Sequence, residues 1–389
     1  MIRSKLRLTD RLPNLTQYER VGISRELNLA DGHAHQSPDH DQRMIVTDLP
    51  DLYLESELIR QETAEVEFQR AFYRLAGQHS AMRHPQTVLC YSASMSIDIV
   101  AAYLHETGMS VGLVQPCFDN LAAILRRRGV PLVPIAEEAL IDASWLAGPG
   151  KPDALFVTLP NNPTGFTLGP AEFEQLASWC AASGTVLIVD WTFRFFDRDE
   201  PWDQYEVLDR TGVSYFCVED TGKTWPTLDL KCSILATSAD HYGLLLELHN
   251  DLLLNVSPFI LRLLLAYIED AQRRGLDMAV RWTVATNRRT LHWALRDSVL
   301  VPGDPGRTIS VEWVRIASVA LRSLDVVDML AELGIGILPG DHFYWYDPHA
   351  GSNHIRIALA RDTTMFATAC LRLRAAIDTL PLLRETGVR

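Results

Sequence analysis

The sequence predicts an α/β fold, with a large domain built on a mostly parallel sheet flanked by helices and a smaller α+β domain after it. Three observations predict it. From about residue 85, short apolar runs rich in β-branched residues alternate with amphipathic helical patterns, as in a sheet buried on both faces. Polar residues gather just past those runs, where such sheets bind ligands. Beyond residue 285 the pattern changes to RTISVEWVRIAS, a helix, GIGILPG and HIRIALA.

Taken in order, TVLCYSAS leads into helical SIDIVAAYLHE and SVGLVQP into FDNLAAILRRRG. DALFVTLP follows, then helical EFEQLASWCAASG before TVLIVDWTF, and SYFCVED and KCSILAT close the series. Ser92 to Ser94 follow TVLCY and Phe118 follows LVQP. Asn161 and Asn162 follow FVTLP, Asp190 follows LIV, and Asp220 and Lys223 follow FCVE. The apolar stretch 242–268 is broken by Glu247, Asp251 and Arg262, too often for a membrane span, and reads as buried helices. Residues 1–40 fit neither pattern and read as an arm, leaving 41–285 as the large domain and 286–389 as the small one.

With 389 residues, 47% of them hydrophobic, the chain can bury a large core. Its net charge of −13 argues against nucleic-acid binding and suits a cationic small molecule. Six scattered cysteines without a CxxC suggest neither zinc nor a disulfide framework and point to a reducing cytoplasm. The charged N-terminus has no apolar core of a secretory signal.

In PNNPTG (160–165), two prolines and Gly165 shape a turn that presents the Asn162 amide. Asp190 ends an apolar strand, where a carboxylate is costly unless paired with a cation or donor. Lys223 and Lys231 come next. Taken singly, these are also a strand-ending turn, a capping Asp and a solvated loop lysine. Together they can do more: a lysine amine forms a Schiff base with an aldehyde, and a carboxylate keeps a pyridine nitrogen protonated.

Asn162, Asp190, Lys223 and Lys231, in this order, resemble the fold-type-I pyridoxal-phosphate enzymes. The resemblance implies that Lys223 is the Schiff-base lysine, Asp190 the pyridinium partner and Asn162 a donor to the cofactor's phenolic oxygen. It implies Ser92, Ala93, Ser94, Thr221 and Lys231 around the phosphate, Phe118 on the ring, and a homodimer. Arg356 in HIRIALAR, on the strand face opposite Ile355 and Ile357, would clamp the substrate carboxylate. Two departures stand out from the aminotransferases of this group: Asp190-Trp-Thr-Phe193 replaces the usual Asp-x-x-Tyr, and Lys231 stands where many relatives carry Arg.

The arm, LTQYERVGISRELNLADGHAHQ (15–36), closely resembles that of the pyridoxal-phosphate- and oxygen-dependent L-arginine oxidases and hydroxylases. This implies O₂ as co-substrate, free L-arginine as substrate, Thr16, Glu19 and Asp220 around the guanidinium, and His33 in the later oxidative steps. It also implies an arm that orders over bound arginine. Thr16 and Glu19 equally spell a T-x-x-E capping box. The H-x-H at 33–35 resembles the first ligand pair of amidohydrolase barrels, although the eight βα units of that fold are missing, and no metal is expected. A conventional aminotransferase acting on arginine or a related basic amino acid is the alternative activity; a non-catalytic binder is the alternative class.

Overall fold

The computed structural model describes residues 12–83, 86–146, 150–197, 201–304, 306 and 309–384. Its large sheet has seven strands: β2 (Thr87–Cys90), β3 (Val111–Gln115), β4 (Leu132–Ala136), β5 (Ala154–Thr158), β6 (Val186–Asp190), β7 (Tyr215–Asp220) and β8 (Ser233–Thr237). They lie in the order β2-β8-β7-β6-β5-β3-β4, with β8 antiparallel to both neighbours and the other pairs parallel. The continuous apolar runs follow from burial on both faces. Leu155, Val157, Leu187 and Val189 pack into one core cluster, while their neighbours Phe156, Val186 and Ile188 pack into another across the sheet.

The small domain centres on a four-stranded antiparallel sheet, β12 (Leu338–Pro339), β13 (His354–Ala358), β10 (Val311–Ile316) and β9 (Leu300–Val301) in that order. The helix Trp282–Ala294 runs across residue 285, so the expected boundary there falls inside an element.

The arm is not separate from the small domain. Strand β1 (Leu27–Asn28) pairs in parallel with β11 (Ile335–Gly336). The Ala358 N–H donates to the Leu29 carbonyl at 2.8 Å, and the His35 N–H donates to that of Ala360 at 3.0 Å. Arg361 donates to the carbonyls of Asn28 (2.6 Å), His33 (2.8 Å) and Asp31. Residues 27–36 are therefore a strap fastened to the small domain. The preceding helix, Leu15–Ile23, reaches the large domain, where the Leu15 N–H donates to Asp119 Oδ2 at 2.8 Å. Its cap is Asn14, whose Oδ1 accepts from the Gln17 N–H at 2.9 Å. The T-x-x-E reading is thereby corrected: Thr16 and Glu19 lie within the helix. Residues 1–11 of the expected arm fall outside the described residues.

The stretch 242–268 is less buried than expected. It forms the helix Tyr242–Asn250 and the start of Pro258–Arg274, and between them Leu254 is 90% exposed. Among the described residues, no helix is long and apolar enough to cross a membrane.

Candidate active site

The carboxyl ends of the six like-directed strands share one edge of the sheet. Because β8 runs the other way, its amino end lies at that same edge and brings Lys231 back to Lys223. A cavity of about 280 Å³ opens there. Thr16, Glu19, His33, Ser92, Ala93, Ser94, Phe118, Asn162, Asp190, Asp220, Lys223, Lys231 and Arg356 all line it. The exception is Thr221, expected at the phosphate. It is fully buried away from the cavity, its hydroxyl donating to the Cys232 carbonyl at 3.1 Å and accepting from the Cys232 N–H at 2.9 Å.

Local structure explains several placements. Ser92 caps the helix Ala93–Glu106, so that helix points its free N–H groups at the cavity. Gly165 has φ +71° and closes the turn that presents Asn162. Along β7, successive side chains alternate in direction. Glu219 turns to Arg194, which binds it through two nitrogens at 2.7 and 2.8 Å, while Asp220 turns to the cavity. Gly222 follows because a Cβ there would stand 2.7 Å from Lys231 Cδ.

The charges are unevenly satisfied. Asp190 is buried, and both of its hydrogen bonds, from the Thr192 N–H (2.9 Å) and hydroxyl (2.5 Å), end on Oδ1. Burial pushes its pKa up to about 6 against those bonds, helped by Asp220 and Glu219. Asp220 Oδ2 accepts from the Gly222 N–H at 2.8 Å, and its Oδ1 is buried without a hydrogen-bond partner among the described residues. Burial also lowers the Lys223 pKa, against the pull of Glu19, Asp31 and Asp220. Arg356 is fully buried, and its guanidinium donates to the Ala30 carbonyl, to Glu19 Oε1 (3.3 Å) and to Asn162 Oδ1 (3.4 Å). Phe118 lies beside it, 5.6 Å from ring centre to guanidinium carbon.

These residues fit pyridoxal phosphate. A buried lysine with lowered pKa suits a Schiff base, Asp190, whose two hydrogen bonds both fall on Oδ1, suits a protonated ring nitrogen, and the Ser92-capped helix suits a phosphate. Residues 60–373 match the family described as aminotransferase class I and II. The chain belongs to that family. As a class I/II aminotransferase-type protein it has the fold-type-I architecture and is a pyridoxal-phosphate enzyme. It is similar to the structure of MppP soaked with the product 2-ketoarginine, at 37% identity and TM-score 0.85, over 90% of this chain and 99% of that one. Aspartate aminotransferase from Thermus thermophilus with maleate shares the fold, at 16% identity and TM-score 0.75 over 94% and 97% of the two chains. A probable N-succinyldiaminopimelate aminotransferase, DapC, of Mycobacterium tuberculosis is 31% identical over 115 residues, 27% of this chain and 29% of that protein. A probable aminotransferase of the same organism is 24% identical over 60% of this chain and 54% of its own length. The chain thus spans under two thirds of these curated relatives.

Sequence reasoning passed over Asp31, Asp119 and Arg361. Asp31 is buried and takes a histidine on each oxygen: His33 Nδ1 lies 2.6 Å from Oδ1, and His35 Nε2 contacts Oδ2. Its signal lay in DGHAHQ, where Asp31, His33 and His35 recur every second residue. The amidohydrolase comparison is corrected here, since the large sheet is open and seven-stranded, not a closed barrel. Lys231, expected at the phosphate, lines the cavity with its Nζ 3.0 Å from His33 Nε2.

Proposed function

We propose that the protein oxidises free L-arginine with O₂, releasing ammonia and 2-ketoarginine or its 4-hydroxy derivative. The observation that carries this reading is a pair of carboxylates in the cavity besides the one that would face the cofactor ring. Beyond Asp190, both Glu19 and Asp220 line the cavity, and Asp220 Oδ1 is buried with no hydrogen-bond partner among the described residues. A guanidinium, planar and with five donors, is the ligand that such acceptors match. The likeness to MppP, whose structure was soaked with 2-ketoarginine, supports the same reading.

In this proposal Thr16, Glu19 and Asp220 hold the guanidinium and Arg356 the α-carboxylate, while Ser92, Ala93, Ser94 and Lys231 hold the cofactor phosphate. Phe118 packs on the ring. Bound pyridoxal phosphate supplies an electron sink for charge developing at the substrate Cα. Lys223 Nζ, its pKa lowered by burial, takes the Cα proton. Asp190 holds the ring nitrogen's proton and Asn162 orients the ring. The Cα–N bond loses two electrons and two protons, O₂ takes them up as hydrogen peroxide, and water then adds to the C=N carbon and releases the nitrogen as ammonia. In the hydroxylating outcome a second O₂ takes two further electrons and two protons, one each from C3 and C4, and leaves as hydrogen peroxide; His33 then takes a proton from the water that adds at C4 of the resulting double bond, while C3 gains one. Phe193 in place of tyrosine cannot donate to the phenolic oxygen, a departure from the ordinary aminotransferases of this group.

Transamination is the second reading, supported by the family match, with arginine or a related basic amino acid as its substrate. Purified protein loaded with pyridoxal phosphate, mixed with L-arginine in air, separates the two. Oxygen uptake and keto-acid formation without an added amino acceptor are expected. Turnover that needs an added keto acid and proceeds equally under nitrogen would refute the oxidase reading.

A further inference from the structure

We infer that His35 is a positioning residue for His33 and acts through the carboxylate of Asp31. This deepens the reading above and rests on it for the step that His33 serves. The tautomer of His33 is set from both sides. Lys231 Nζ stands 3.0 Å from His33 Nε2, and an ammonium only donates, so Nε2 is the acceptor. Nδ1 stands 2.6 Å from Asp31 Oδ1, and an ionised carboxylate only accepts, so Nδ1 carries the proton. His33 is thereby a neutral imidazole whose lone pair is on the nitrogen beside Lys231, in the cavity.

Asp31 can do this only while ionised and fixed. Burial would raise its pKa, but the hydrogen bonds from His33 and His35, and the charge of Lys223, hold it far below the usual carboxylate range. The pKa of His33 is itself lowered, first by Lys223, then by burial and Lys231, with Asp31 opposing. Asp31 divides its oxygens: Oδ1 takes both the ring Nδ1–H and, at 3.0 Å, the backbone N–H of His33. Among the described residues, the hydrogen bond on Oδ2 comes from His35. His35 does not line the cavity and is held by its own N–H on the Ala360 carbonyl, while Arg361 grips the carbonyls of Asp31 and His33.

His35 therefore draws part of the carboxylate's charge away from His33. Without that donor the charge concentrates on the Nδ1–H side, His33 binds a second proton more readily, and Nε2 loses the lone pair that a base needs. The other charged groups facing His33 are Lys223, Lys231, Asp220 and Asp229, the last 3.9 Å from Nε2, and all stay in place in a His35 variant.

The test is ¹⁵N NMR of the histidines in the cofactor-loaded protein without arginine, for the parent and for His35→Phe, His35→Gln and Asp31→Asn. The parent should show His33 protonated at Nδ1 and bare at Nε2. His35→Phe should raise the titration midpoint of His33 by roughly one pH unit. His35→Gln keeps a donor and should restore it, while Asp31→Asn should lower it. The yield of the 4-hydroxy keto acid relative to 2-ketoarginine, followed against pH, should have its acid limb move with the same midpoint. An unchanged His33 midpoint and tautomer in His35→Phe overturns the inference, as does an identical change in the Phe and Gln variants, which would make His35 a packing residue. If His33 responds as expected in a protein that consumes no oxygen with arginine, the positioning stands and the oxidase reading falls.

Discussion

At the scale of single residues, the site stores its chemistry in carboxylates that folding leaves short of partners. Asp190 begins to ionise near 3.8 in the unfolded chain and near 6 in the folded one. Between those values the folded chain holds more protons, so its stability falls as pH rises. Asp190→Asn, without cofactor, should therefore be more stable than the parent at pH 7, by on the order of 3 kcal/mol, with the gap closing towards pH 4. Denaturant unfolding at several pH values measures this, and a gap independent of pH would refute it. Glu19 and Asp220 make a different prediction. Removing the charge of either (Glu19→Gln, Asp220→Asn) should raise KM for arginine by roughly 10- to 100-fold, the worth of one charge-assisted hydrogen bond. Norvaline, which has no guanidinium, should be affected little. Equal losses for both amino acids would mean that the guanidinium lies elsewhere.

At the scale of elements, the arm divides into two parts with different attachments. The strap at 27–36 is fastened by β1–β11 pairing and by the buried guanidinium of Arg361 on backbone carbonyls. The helix Leu15–Ile23, which carries Thr16 and Glu19, is tied to the large domain through Leu15 and Asp119 and to Arg356 through Glu19. Arg361→Lys cannot reach all three carbonyls, because an ammonium is a point donor and a guanidinium a fork. It should destabilise the strap by on the order of 2–3 kcal/mol and speed amide exchange at Leu29 and His35. Exchange unchanged at both amides would remove Arg361 from that role. Much of this was legible beforehand: TVLIVDWTF, FVTLPNN and FCVED placed Asp190, Asn162 and Asp220 at strand ends by apolar runs alone. The strap was not, because a two-residue strand pairing across some 300 residues leaves no periodicity to read.

At the scale of the whole molecule, one chain leaves apolar surface uncovered. Leu58 is 89% and Leu254 90% exposed, and Gln61 joins their segments by bonds to Asn255 (2.6 Å) and the Val256 carbonyl (2.9 Å). Leu228, beside the cavity loop, is 89% exposed at φ +52°, a conformation that a leucine adopts only under constraint. We propose that a second copy of the chain covers this surface. Light scattering should give twice the 43.7 kDa chain mass, and Leu58→Asp with Leu254→Asp should shift it towards monomer. A monomeric parent would refute the assignment.

The sequence by itself determined the sheet, its ligand-binding edge and the identity of the lysine, asparagine and aspartates gathered there. Each of those follows from local pattern: apolar runs need burial on both faces, and polar residues past their ends have one place to go. Only the tertiary structure decided that Thr221 turns away, that Asn14 rather than Thr16 caps the arm helix, and that Asp31 joins two histidines. Those outcomes depend on which distant backbone groups lie within hydrogen-bond reach, the Cys232 amide and carbonyl for Thr221, the small-domain carbonyls for the strap, and that reach exists only once the chain has folded.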